Sequence, residues 1–127
     1  MADTARPSGK SAFALARVLA DHKGGDVTVL DVSLQAGWTD YFVIATATSS
    51  AHLRGLVRFV EEAAPAEGLS RLGRAALADD DEWALADYGD VVVHVMTEGS
   101  RSFYELEKLW FQSPASRVAP APPEAGK

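Results

Sequence analysis

The chain has 127 residues, of which 47% are hydrophobic and 24% charged, and its formal net charge is −6. This length suits one domain with its own core, and the composition is that of a soluble globular protein. The absence of cysteine excludes a disulfide framework, a thiol nucleophile and a cysteine-based metal site. The sequence has no apolar run near the roughly 20 residues that cross a bilayer. Because no secretory signal is recognised either, we expect a cytoplasmic protein. The negative charge disfavours a phosphate-neutralising surface and favours basic protein partners.

The first third of the chain predicts one helix followed by two strands. Apolar residues with helical spacing predict an amphipathic helix over about 10–22, and Gly24 and Gly25 are predicted to supply its C-cap. Residues 27–32 are rich in β-branched side chains and predict a strand. Residues 40–48 predict a second strand that is apolar on both faces, which is typical of a central position in a sheet.

A second helix is predicted after Ser49 and Ser50, which suit a helix N-cap. Pro65 disfavours helical backbone angles at the preceding residue, so the regular helix should end there, with Gly68 closing the segment. Residues 69–77 are a weak strand candidate. This region therefore carries clear signals for the start and end of one helix, followed by an ambiguous segment.

Residues 81–96 predict two strands joined by a tight turn. Gly89 and Asp90 suit a two-residue type II′ loop, which needs a positive φ at its first position. Residues 101–110 predict a final helix, because apolar side chains recur there with helical spacing. Its predicted core residues are Phe103, Leu106 and Trp110.

The order of the predicted elements is helix, strand, strand, helix, two or three strands, and helix. Helices that alternate with pairs of strands predict an α/β fold in which helices flank a mixed β-sheet. The domain is expected to span residues 11–112. Residues 1–10 are predicted to form a flexible N-terminal tail, and the Pro/Ala-rich residues 113–127 a disordered C-terminal tail.

Five motifs follow one another along the chain: VLDVS at 29–33, TDYFVIAT at 39–46, SS at 49–50, EWALADYGDVVVHVM at 82–96 and FYELEKLW at 103–110. Together they resemble the ribosomal silencing factor family, also called the Iojap or RsfS-like family. The resemblance covers residues 11–112 and implies a nucleotidyltransferase-like fold without catalytic residues. It also implies a translational repressor that binds the large ribosomal subunit through ribosomal protein uL14 and blocks association with the small subunit, under nutrient limitation or in stationary phase.

The predicted hairpin is the candidate docking site for uL14. Its acidic and aromatic residues suit a basic partner, because charges steer the encounter while aromatic side chains supply buried area. The acidic run at 79–82 precedes it. Alternation places Trp83, Leu85 and Asp87 on one face and Tyr88 on the other, without indicating which face the helices cover. The predicted partner-binding residues are Trp83, Leu85, Asp87, Tyr88 and Asp90.

Two other functions are considered, a nucleotidyltransferase-like enzyme and a homodimeric protein-binding scaffold. Nucleotidyl transfer needs two carboxylates one residue apart on a strand to hold Mg²⁺. Here Asp31 is followed two residues later by Ser33, so the metal clamp is incomplete. We therefore expect no enzyme activity and no cofactor. A homodimer off the ribosome stays an alternative, and neither a membrane nor a specific nucleic acid sequence is an expected partner.

The histidines and arginines carry weaker signals. His22, His52 and His94 fall on three different elements, so no metal site is expected. His94 lies among valines and is predicted to be neutral and hydrogen-bonded. Arg54 and Arg58 are interpreted as part of a solvated helix face rather than an RNA-binding strip.

Overall fold

The fold was obtained as a computed structural model that describes residues 7–72, 76–77, 82–104, 108 and 112–120. A 3₁₀ turn at Ala64–Glu67 directly follows the third helix. The helices are α1 (Pro7–Asp21), α2 (Ser33–Ala36), α3 (Ser50–Ala63) and α4 (Glu98–Tyr104), and the strands are β1 (Gly25–Asp31), β2 (Tyr41–Ala47), β3 (Ala76–Leu77), β4 (Trp83–Asp87), β5 (Val91–Thr97) and β6 (Ala115–Arg117).

The strands form one six-stranded mixed sheet in the order β3-β4-β5-β2-β1-β6. Only the pairing of β2 with β5 is parallel among the described strands, and every other neighbouring pair is antiparallel. The predicted α/β fold with a mixed sheet and flanking helices is therefore confirmed. So is the central position of β2, whose side chains are buried on both faces apart from the half-buried Thr46.

Apolar side chains are buried on both faces of the sheet. On the first face, leucines of α1 and α3 pack against alternate residues of the central strands, such as Val43 and Val93. The second face carries a separate cluster, against which Trp83 and Leu85 pack while remaining half-buried. We call this set the second-face cluster: Leu30, Val32, Phe42, Ile44, Val92 and Met96.

The predicted ends of the second helix are confirmed. The hydroxyl oxygen of Ser49 accepts a hydrogen bond from the backbone N–H of His52 at 3.0 Å, which caps the first turn of α3. Regular α-helix ends at Ala63, before Pro65, although Ala64 itself keeps helical backbone angles with a φ of −57° and a ψ of −42°. Gly68 closes the 3₁₀ turn with a φ of 74°. A left-handed residue at this position lets the chain leave the helix without strain.

The predicted hairpin of β4 and β5 is also confirmed. Its loop is Gly89 and Asp90, and the backbone N–H of Tyr88 donates to the carbonyl of Val91 at 2.9 Å to close it. Gly89 has a φ of 87°, as the first position of a type II′ loop requires. The carboxylate of Asp87 accepts a hydrogen bond from the Gly89 N–H at 2.8 Å and reinforces the turn.

Both predicted tails contain regular structure. α1 begins at Pro7, inside the segment predicted to be flexible, since proline is well suited to the first turn of a helix. The disorder predicted from residue 113 is wrong for β6, which pairs with β1. This edge strand needs no apolar pattern, because backbone bonds hold it, such as Val118 N–H to Val27 O at 2.9 Å.

Three further predictions need correction or fall partly outside the described residues. Residues 33–36, predicted as part of a connection, form α2. Of the weak strand candidate at 69–77, Ala76–Leu77 form a strand, residues 69–72 do not, and residues 73–75 lie outside the described residues. α4 covers the start of the predicted last helix, whereas the side chain of Phe103 and residues Leu106 and Trp110 lie outside what the structure describes.

The end of α1 is capped by Lys23 rather than by the glycines. Lys23 takes the left-handed conformation with a φ of 75°. The N–H of Gly24 donates to the Leu19 carbonyl at 2.8 Å, and the N–H of Lys23 donates to the Ala20 carbonyl at 3.1 Å. This is the Schellman pattern, and Gly24 is needed in it for space, because a Cβ there would lie 2.7 Å from the Leu19 oxygen.

We predict that Gly24→Ala lowers the free energy of unfolding by about 1–3 kcal/mol, since the new methyl group would push against backbone rather than a movable side chain. Gly55→Ala is the matched control, because a Cβ at this α3 position meets nothing within 4 Å. It should raise stability by about 0.5–1 kcal/mol. Urea unfolding measures both, and equal effects of the two changes would contradict this account of the turn.

Candidate functional site

Trp83, Leu85 and Asp87 share one face of β4, as alternation predicts. All three are half-buried, and the first two pack against the second-face cluster. Because β4 pairs with β5 on one side and with a two-residue strand on the other, its side chains lie towards one border of the sheet. The three predicted residues therefore form a continuous, partly exposed strip.

Trp83 belongs both to the core and to the surface. Its indole N–H donates to Nδ1 of His94 at 3.2 Å, and the two ring centroids are 5.9 Å apart. The ring of His94 in turn packs edge-to-face with the ring of Phe42, with the centroids 4.8 Å apart. Trp83 is thus half-buried: part of its side chain packs against the second-face cluster and part remains exposed, and the hydrogen bond to His94 holds the ring in place.

His94 is held in its neutral form by burial. It is only 4% exposed, and burial lowers its pKa from 6.5 to about 4. Because Nδ1 accepts the tryptophan N–H, the ring proton resides on Nε2, for which the described residues provide no hydrogen-bond partner. The predicted neutral, hydrogen-bonded histidine agrees with this geometry, and the ring acts as a spacer between Trp83 and Phe42.

Tyr88 does not lie on this strip. Its side chain is 6% exposed and belongs to the core beneath α1 and α3, on the opposite face of the sheet. Burial raises the pKa of its hydroxyl, with a smaller opposing effect from Arg71. The structure therefore separates Tyr88 from Trp83, as alternation predicts, and its burial leaves it little surface with which to contact a partner.

Asp90 is exposed in the hairpin turn, next to the loop that precedes β2. The carbonyl of Asp90 accepts hydrogen bonds from the backbone N–H groups of Asp40 and Tyr41, both at 3.0 Å. This brings Trp38 to the same edge of the sheet; it is 62% exposed, with its ring 5.9 Å from that of Phe42. Sequence reasoning missed Trp38, because a tryptophan in a connection between strands belongs to no periodic pattern.

Glu82, the last residue of the acidic run, lies at the other end of β4. The carboxylate of Glu82 accepts hydrogen bonds from the hydroxyls of Thr97 at 3.1 Å and Ser100 at 3.5 Å. Five strand residues separate it from the hairpin turn, which is roughly 15 Å. Glu82 therefore lies apart from Asp87 and Asp90, the patch that joins the acidic run to them stays a prediction, and residues 79–81 lie outside the described residues.

The geometry around Asp31 does not resemble a metal clamp. Its Oδ1 accepts hydrogen bonds from the backbone N–H of Ser33 at 3.1 Å and from the Ser33 hydroxyl at 2.7 Å. Gly25 begins the same strand at its opposite end, so the glycines and the carboxylate do not converge. Within the described ranges, we found no group of three His, Cys, Asp or Glu side chains that could hold a metal ion.

A crevice of about 740 Å³ opens where β2 and β5 end, a common ligand position in α/β sheets. It is lined by Ser49 and Ser50 at the start of α3 and by Glu82, Thr97 and Glu98. Asp31 lies at the opposite edge of the sheet.

Among the described helices, none has the length and apolar character needed to cross a membrane.

Comparison with known proteins identifies the family. The model of the family "Ribosomal silencing factor during starvation" matches residues 5–126, so the chain belongs to the ribosomal silencing factor family. The match includes most of the C-terminal segment for which the sequence motifs gave no counterpart. Ribosomal silencing factor RsfS of Treponema pallidum is 38% identical over 101 residues, which cover 79% of this chain and 89% of that protein.

Two further relatives support the same assignment. A mouse protein named mitochondrial assembly of ribosomal large subunit protein 1 is 32% identical over 107 residues, covering 76% of this chain and 43% of that protein. A crystal structure of a Chromobacterium violaceum protein superimposes with a TM-score of 0.73 at 30% identity, covering 93% of this chain and 92% of that one. The α/β fold is therefore shared with solved relatives.

We predict a pH-dependent contribution of His94 to stability. Its folded pKa, about 4, lies below the unfolded value of 6.5, so the unfolded chain binds the extra proton and stability falls as pH drops through this window. Between pH 7 and pH 5, the wild type should lose about 2 kcal/mol more unfolding free energy than His94→Gln.

Urea titrations of both proteins at several pH values measure this difference. Carboxylates titrate in both proteins, so their contribution cancels in the comparison. Parallel stability curves for the wild type and the variant would show that His94 is not held neutral by the fold.

Proposed function

We propose that this member of the ribosomal silencing factor family binds the large ribosomal subunit in the cytoplasm. In this proposal ribosomal protein uL14 is the contact, and the bound protein prevents the small subunit from joining. Translation then falls when nutrients are limiting or in stationary phase. The family description and the large-subunit role in the mouse relative's name support the coarse proposal, and the resemblance of the motifs supports uL14 as the contact.

The observation that supports this choice of docking site is the half-buried strip of Trp83, Leu85 and Asp87, with the exposed Asp90 at its end. Tryptophan is enriched among residues that dominate interface energies, since a fixed ring gains much contact area at small entropic cost. Trp83 is fixed by its bond to His94. The strip therefore offers a rigid apolar contact bordered by negative charge, which suits a basic ribosomal protein.

We further propose that the chain acts by occupying a surface and not by catalysis. A phosphoryl-transfer site requires carboxylates that converge on a metal ion. Asp31 is instead hydrogen-bonded to Ser33, and the crevice at the ends of β2 and β5 lies at the other edge of the sheet. Steric occlusion needs only a stable fold and a complementary face.

We predict that the purified protein reduces reassociation of separated ribosomal subunits. In a sucrose gradient at fixed Mg²⁺, an excess of protein should decrease the peak of joined ribosomes and co-migrate with the large subunit. Protein that saturates large subunits yet leaves the peak of joined ribosomes unchanged would sink the proposal of occlusion.

Asp90→Lys is a cleaner test of the docking strip than a change at Trp83, because Asp90 is exposed in a turn and Trp83 also supports the core. The charge reversal should weaken binding to large subunits about fivefold at low salt, mainly through slower association, with less effect at high salt.

Glu62→Lys is the matched control, since Glu62 is exposed on α3 in the helical layer. It makes the same change in net charge and should leave affinity within about twofold, because exposed charges distant from a contact are screened. Binding of each variant to surface-immobilised large subunits measures the difference between them. Equal weakening by both variants would mean that net charge alone controls binding.

A further inference from the structure

The large apolar side chains that stand exposed in the described part of the chain gather at one edge of the sheet. Leu34 in α2 is fully exposed, Trp38 is 62% exposed and Leu72 is 61% exposed. Single exposed apolar residues are ordinary, but grouped ones mark interaction surfaces. None of the three belongs to the hairpin that the sequence motifs single out.

Backbone hydrogen bonds fix the position of these residues at the edge. The N–H of Val32 donates to the Asp40 carbonyl at 2.8 Å, which closes the loop that carries Leu34 and Trp38. The Asp40 N–H donates to the Asp90 carbonyl at 3.0 Å, and the Leu72 N–H donates to the Asp87 carbonyl at 2.7 Å. These bonds join four chain segments side by side from β1 to β4, a width of three strand spacings or roughly 15 Å.

Four aspartates lie along the same edge, because β1 and β4 end there and β2 and β5 begin there. Two of them are oriented by serine hydroxyls: Ser33 donates to Asp31 at 2.7 Å and Ser8 donates to Asp40 at 2.9 Å. The other two are Asp87 and Asp90 in the hairpin. This edge therefore combines exposed apolar groups with fixed negative charge.

We propose that Leu34 and Trp38 are apolar anchors for a basic protein surface of the large subunit, on a docking edge continuous with Asp87 and Asp90. The inference rests on the proposed function and extends its contact surface from the hairpin strip across the sheet to α2. The charge of the edge favours a protein partner over rRNA, because aspartates attract lysine and arginine side chains and repel phosphates. The edge therefore faces ribosomal protein.

The anchors are arranged in advance. The loop between β1 and β2 is closed by backbone bonds, and the Trp38 ring lies against Phe42 of the second-face cluster. Little ordering entropy is lost when such a surface binds, and that favours affinity. Leu34 is fully exposed and Trp38 is 62% exposed, so changing them removes little buried contact and leaves the fold nearly unaffected.

The test uses the full chain with the double change Leu34→Ser and Trp38→Ser. Its affinity for isolated large subunits and for purified uL14 should fall at least about thirtyfold, the size of a tryptophan hot spot. The melting temperature should stay close to that of the wild type, since both side chains are exposed. The double variant Arg54→Ser and Arg58→Ser, on the exposed face of α3, is the control and should bind within about twofold.

Wild-type protein that fails to bind large subunits would overturn the proposed function itself. Wild-type binding with an equally tight Leu34/Trp38 variant would overturn only the docking edge. Sedimentation velocity provides a further check. A wild-type dimer that the Leu34/Trp38 changes dissociate, with subunit binding unchanged, would assign the edge to a second copy of the chain and reject the proposal.

Discussion

The parallel pairing of β2 with β5 determines which parts of this molecule meet. Its register runs from Tyr41 opposite Val91 to Ala47 opposite Thr97. Parallel strands begin at the same edge of a sheet, so the loop before β2 and the turn before β5 are brought side by side, and the Asp90 carbonyl bridges them. A slip of one residue would exchange the faces of every side chain on a strand, so Phe42 and Ile44 would leave the second-face cluster for the face that α1 and α3 cover.

Because of this pairing, the two faces and the two edges of the sheet carry different features. α1 and α3 cover one face, which buries Tyr88 and leaves Trp83 on the other. The edge where the two parallel strands end carries the crevice beside the N-terminus of α3. The edge where they begin carries Trp38, Asp90 and the other aspartates. The acidic edge with its exposed tryptophan and the usual ligand position of α/β sheets are thus at opposite ends.

The features that sequence predicts well are those decided locally. The Gly89 turn, the Ser49 cap and the end of α3 before Pro65 each depend on a few adjacent residues. The position of β2 at the centre of the sheet could be predicted because it is apolar on both faces.

Prediction from sequence fails where the structure of a segment depends on its contacts with a distant part of the chain. β6 has no strand pattern and is ordered by backbone bonds to β1. Alternation separates Trp83 from Tyr88, but only the packing of α3 shows that Tyr88 is the buried one. Trp38 becomes a candidate contact only once the Asp90 carbonyl places its loop beside the hairpin.

The central claim is that this edge of the sheet faces a protein of the large subunit. Photo-crosslinking tests it most directly, with a light-activated amino acid placed at the fully exposed position of Leu34. After irradiation of the complex with isolated large subunits, the account predicts a crosslink to uL14, identified by mass spectrometry. Crosslinks confined to rRNA, or to a different ribosomal protein, would contradict it.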